Sequence, residues 1–68
     1  MSDSDSATAR RSEFILQELL RTAEVSVDHL AERLEVSTAT IRRDLTALEK
    51  KGLLRRSHGG AVRIDPAL

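Results

Sequence analysis

The stretch SVDHLAERLEVSTATIRRDL, residues 26–45, constrains the fold most. It carries two apolar stripes of helical period with a break of only a few residues between them. Leu30, Ala31 and Leu34 make the first stripe. Ile41, Leu45 and Leu48, at i, i+4 and i+7, make the second. Ser26 and Ser37 stand where N-caps belong, and Asp28 falls in the first turn of its helix, where the dipole favours an acid. Two short helices joined this tightly can cross at a steep angle only through a small contact. Ala31 supplies it, and Val36 plugs the turn. This is helix-turn-helix spacing. The turn is so short that Glu35 is expected at positive φ, a conformation usually left to glycine.

The flanks extend the pattern. Met1 to Thr8 has no apolar period and reads as a flexible tail, with a first helix beginning near Ala9 and Thr8 as its N-cap. Ile15, Leu16, Leu19 and Leu20 are its expected buried stripe, Phe14 flanks it, and Glu13 and Glu18 face water. Val25-Ser26-Val27 suits a brief strand. The third helix is expected from Thr38 to Lys51, stopped by Gly52, with Lys50 and Lys51 at the negative end of its dipole. The period then changes. Leu53 to Ser57, His58-Gly59-Gly60 and Ala61 to Ile64 read as strand, glycine turn and strand, with Leu54, Val62 and Ile64 on the buried side and Pro66 ending the hairpin. The domain therefore spans residues 9–64, and 65–68 begin a linker. The fold class is mainly α with a small antiparallel β-sheet, built from residues near 25–27 and the two hairpin strands: a winged helix-turn-helix.

Composition removes other classes. The 68 residues contain no cysteine, so a disulfide framework and a thiolate zinc site are excluded. His29 and His58 stand alone, His29 as a surface residue, and no metal or other cofactor is expected. No apolar run approaches membrane-spanning length, and a cytoplasmic location is expected. Phe14 is the lone aromatic, too few for a base-stacking platform. No nucleophile–base pair or carboxylate pair points to catalysis.

The formal net charge of zero conceals a division. Residues 37–63 carry seven Lys and Arg against Asp44 and Glu49, whereas residues 10–36 carry four Arg against six acids. The C-terminal half is a basic surface suited to a polyanion. If Ile41 faces the core, steps of roughly 100° place Arg43, Ala39, Thr46 and Lys50 on the opposite side, with Arg42 between. Small residues at the start of that face let a backbone approach a major groove, and arginine can bind guanine bidentately. The hairpin adds Arg55, Arg56, His58 and Arg63 on a ribbon able to cross the DNA backbone or enter a minor groove. His58 suits a phosphate or turn contact. A protein–protein winged-helix module is the alternative, favoured if the basic residues pair internally with Glu49 and Asp44 or if the Arg43 face is apolar.

The run from Ile15 to Val62 resembles the N-terminal winged helix-turn-helix domain of the DeoR family of bacterial transcriptional regulators. The resemblance rests on IL at 15–16, Leu19, VSV at 25–27, LAERL at 30–34, VS at 36–37, TIRRDL at 40–45, LE at 48–49, GLLRR at 52–56 and HGGA at 58–61. TIRRDL followed by HGGA is a highly specific combination. Ala23 and Glu35 depart from it, standing where the family usually has glycine. The resemblance implies binding to a double-stranded DNA operator and, usually, repression of sugar or nucleoside metabolism genes. It also implies a larger C-terminal domain, outside these residues, that senses a phosphorylated sugar and makes the full-length protein a homo-oligomer; these 68 residues alone are expected to be monomeric. By position, Thr38, Ala39, Arg42 and Arg43 are the base-edge candidates. Ser37, Thr40, Thr46, Arg55, Arg56 and His58 are the backbone candidates, and Arg42 can serve either role.

Overall fold

The computed structural model describes residues 3–64. Its elements are α1 (Asp3–Thr22), β1 (Glu24–Ser26), α2 (Val27–Leu34), α3 (Thr38–Lys50), β2 (Arg55–Ser57) and β3 (Gly60–Val62). The expected linker at 65–68, with Pro66, lies outside the described residues.

α1 begins at Asp3 rather than near Ala9, so Thr8 is inside the helix and does not cap it. Once a helix is nucleated by a packed segment, each added residue gains a hydrogen bond, and good helix formers such as Ala7, Ala9 and Arg10 extend it without an apolar stripe. Ile15 and Leu19 are buried and Leu16 and Phe14 pack at the edge, but Leu20 is 69% exposed. Five residues on from Ile15, Leu20 is rotated about 140° away from the core. Glu18 does not simply face water; it is largely covered and lies 3.8 Å from Arg21. Arg33 of α2 stacks over the Phe14 ring at 5.6 Å and ties the first two helices together.

The caps fall where the sequence places them. The Ser26 hydroxyl accepts the His29 N–H at 3.0 Å, and Ser37 accepts that of Thr40 at 3.1 Å. β1 ends at Ser26, and Val27 already belongs to α2. At the other end of α2, Glu35 has φ 57° and ψ 45°. The Val36 N–H reaches the Ala31 carbonyl at 3.1 Å and the Glu35 N–H that of Glu32 at 3.3 Å, a Schellman ending without glycine. α3 closes the same way, with Gly52 at φ 77° and the Leu53 N–H on the Leu48 carbonyl at 3.0 Å. Ala23 is also left-handed, at φ 69°. A non-glycine residue there costs about 1–2 kcal/mol, offset partly by glycine's greater unfolded-state freedom. Glu35→Gly is therefore expected to leave stability equal or raise it by up to ~1 kcal/mol. A drop of several degrees in a thermal melt would refute this.

The three strands form one antiparallel sheet in the order β1-β3-β2. Val25 pairs with Ala61, and Ala61 with Arg56 on its other side. A two-residue turn, His58-Gly59, joins β2 to β3, with Gly59 at φ 80°. Six side chains fill the centre of the molecule: Ile15 and Leu19 from α1, Leu30 from α2, Ile41 and Leu45 from α3, and Leu54 just before β2. Each buried chain of this kind contributes about 1.5–3 kcal/mol. Leu54 is buried as expected and Val62 is half-buried, but Ile64 is 42% exposed because it lies past the end of β3.

Candidate nucleic-acid interface

α3 presents two contrasting sides. Ile41, Leu45 and Leu48 enter the core. On the opposite side Ala39, Arg42, Arg43, Thr46, Ala47 and Lys50 line a shallow depression. The expected Ala39, Arg42, Arg43 and Thr46 are thus brought together. Ala47 and Lys50 complete the surface and were not among the sequence candidates, although the helical wheel already put Lys50 on that side. The two alanines leave the backbone approachable between the cations.

The acids of this segment are both engaged by other groups. Asp44, 6% exposed, is buried against α1, where Arg11 Nε donates to its Oδ2 at 2.6 Å and Nη2 to Oδ1 at 3.3 Å. That hydrogen bond holds the Arg11 guanidinium above its ordinary pKa. Sequence reading missed this pair, and the one available sign was a carboxylate a single step from the buried stripe. Glu49 accepts the backbone N–H of Arg56 at 2.9 Å. Among the described residues the ion pairs are Arg11–Asp44 and Arg21–Glu18, so Arg42, Arg43 and Lys50 are not neutralised by an acid.

The remaining candidates occupy distinct places. Ser37 caps α3 and its hydroxyl lies 3.1 Å from that of Thr40, so both sit at the start of the helix. Thr38 accepts Arg42 Nη1 at 3.4 Å, which holds that guanidinium along the helix. Arg55 and His58 are exposed, one on the edge strand β2 and one at the turn. Arg56 is half-buried and folds back on α3, donating from Nη1 to Thr46 Oγ1 at 2.8 Å. Arg63 turns the other way, with Nη1 donating to the Leu20 carbonyl at 3.2 Å, and so anchors the end of the wing to α1.

The profile of the DeoR-like helix-turn-helix domain matches residues 7–67 of the chain. The chain belongs to the DeoR-like helix-turn-helix family. Among its relatives, the L-fucose operon activator of Haemophilus influenzae is 52% identical over 52 residues, covering 76% of this chain and 21% of its own length. The transcriptional repressor AccR of Agrobacterium fabrum is 50% identical over 48 residues, 69% of this chain and 19% of that protein. The lactose phosphotransferase system repressor of Lactococcus lactis is 46% identical over 52 residues, 76% and 20% respectively. The chain thus spans about a fifth of the length of the curated relatives it matches. No solved structure gives a significant match. Among the described residues, no helix is long and apolar enough to cross a membrane.

Proposed function

We propose that this chain is the DNA-binding module of a transcriptional regulator that acts on carbohydrate-metabolism genes, with α3 as the recognition helix in the major groove. One observation carries the reading above all: the outward side of α3 is cationic and studded with alanine, while Asp44 is buried against Arg11 and Glu49 holds the backbone N–H of Arg56. The protein–protein alternative is favoured by internal pairing of the basic residues with Glu49 and Asp44 or by an apolar Arg43 face. Against it, Arg42, Arg43 and Lys50 lie on that face with no acid in ion-pair contact among the described residues. Thr38, Ala39, Arg42 and Arg43 stand at the base edges. Ser37 and Thr40 at the helix start suit a phosphate, as do Arg55 and His58 on the wing; Thr46 and Arg56, the other two backbone candidates, are bonded to each other between helix and wing. The relatives are named for the L-fucose operon and the lactose phosphotransferase system, which supports a sugar-linked operator. A phosphorylated sugar is the expected effector, sensed outside these residues, with two copies bound to two half-sites.

The test is a titration of duplex DNA at several salt concentrations. Neutralising roughly 4–6 phosphates gives log K a slope of about −4 to −5 against log salt. A salt-independent signal would sink the reading. Arg43 is exposed and points away from the core. Arg43→Ala is expected to cost about 1–3 kcal/mol on the preferred sequence and to relax choice at one base pair. An unchanged ratio of selected to random DNA would show that Arg43 is not the reader.

A further inference from the structure

Arg56 differs from its neighbours on the wing. Arg55 and His58 are exposed, whereas Arg56 is half-buried and reaches three parts of the molecule. Nη1 donates to Thr46 Oγ1 at 2.8 Å and lies 3.5 Å from the Arg42 carbonyl. Nε donates across the hairpin to the Gly60 carbonyl at 3.4 Å. The backbone N–H donates to Glu49 Oε2 at 2.9 Å. Thr46 is oriented to receive it. Its single hydroxyl hydrogen goes to the Arg42 carbonyl at 2.9 Å, which leaves a lone pair for the guanidinium. Arg56 thus holds two successive turns of α3 and the opposite strand with one planar group, a geometry that lysine cannot reproduce.

We propose that Arg56 and Thr46 form a strut that sets the angle of the wing against the recognition helix, making both of them positioning residues for sequence choice. The proposal rests on the DNA-binding reading above. Phosphate contacts fix the register of a protein on the duplex, and base contacts read sequence within that register. Arg55 and His58 lie on the wing and Arg43 on α3, so the strut controls the offset between the two kinds of contact. Without it the wing keeps its own cations but no longer holds them at one distance from Arg43. Mismatched sequences are then gripped nearly as well as the preferred one. The fold itself does not depend on the strut, because β2 is paired with β3 and Leu54 is buried beside it.

The experiment uses the duplex pool that the 68-residue chain selects from a random library, compared with the unselected library, at several salt concentrations. Arg56→Ala and Thr46→Val are each expected to lower the selected-to-random affinity ratio roughly fivefold, and the double variant no further than either alone. Thr46→Ser, which keeps the acceptor, restores the ratio. The salt slope stays unchanged in all of them, since no phosphate contact is lost. In the free protein, amide exchange of Ser57 and Val62 rises in both single variants. The proposal is overturned if Arg56→Ala lowers the slope by about one unit and weakens both pools alike while Thr46→Val does nothing, the behaviour of a simple phosphate contact. Multiplicative losses in the double variant overturn it as well. If the wild type binds no duplex at any salt, the DNA-binding reading falls and takes the proposal with it; normal selection with independent variants removes the proposal alone.

Discussion

Gly60→Ala is expected to destabilise the domain by about 3–5 kcal/mol, among the largest losses a single methyl group can cause. A Cβ at Gly60 would sit 1.9 Å from the Val25 carbonyl oxygen and 2.9 Å from its carbon. Both atoms are backbone, and both belong to the strand that pairs with Gly60's own, so no side chain can swing aside. Relief requires β1 and β3 to part, which exposes Val25 and Ala61 together. A chain of this size has on the order of 3–10 kcal/mol to lose, so the variant is expected to be largely unfolded at room temperature. Gly59→Ala is the control. Gly59 has φ 80° but open space around it, so its loss should be about 1 kcal/mol, the cost of a left-handed alanine. Urea denaturation of the two variants separates steric from conformational demand. A Gly60→Ala protein as stable as Gly59→Ala would contradict the close approach.

Arg11→Ala and Asp44→Ala are expected to differ although they break the same ion pair. The Asp44 side chain is 7% exposed, and Arg11 is its sole hydrogen-bond partner among the described residues. Removing Arg11 strands a buried carboxylate on a rigid helix, at a cost of about 2–4 kcal/mol. Removing Asp44 leaves a guanidinium that is 19% exposed, on a flexible stem near the surface of α1. It can turn to water, so the loss should be only about 1–2 kcal/mol. Replacing both residues by apolar ones, Arg11→Met with Asp44→Leu, should recover most of the stability lost by Arg11→Ala. At roughly 4–8 °C per kcal/mol for a domain of this length, thermal melts resolve all three. Equal losses from the two single variants would show that Arg11 is as trapped as Asp44. The pair joins α1 to α3 across 33 residues of sequence, so the weaker variants should also soften the placement of Arg42 and Arg43.

Much of the fold is legible in the sequence because its causes are local. The stripes Leu30–Ala31 and Ile41–Leu45–Leu48 follow from helical period, and both serine caps follow from the orphan N–H groups just after them. The left-handed Glu35 follows from the shortness of the turn, and the outward direction of Arg43 from a wheel anchored on Ile41. Gly59 is legible as a turn glycine for the same reason. What failed was decided by groups distant along the chain or by the ends of elements. α1 ran on to Asp3 because propagation needs no stripe, and Leu20 and Ile64 stayed exposed because the core and the sheet stop short of them.

Only the tertiary structure decided the candidate surface in detail. Periodicity placed cations on α3 but was silent on which acids would neutralise them. The answer depended on Arg11 reaching Asp44 and on the wing offering its own N–H to Glu49. Gly59 and Gly60 are adjacent and look alike in sequence. One is required by its own φ, the other by the carbonyl of Val25 arriving from 35 residues away. Arg55 and Arg56 are likewise identical neighbours. Strand alternation sends one to solvent and the other onto Thr46, and the partner that Arg56 meets comes from a different element. A short-range pattern determines the direction in which a side chain leaves the backbone. What it meets there is determined by long-range packing, for which a single sequence carries no periodic signal.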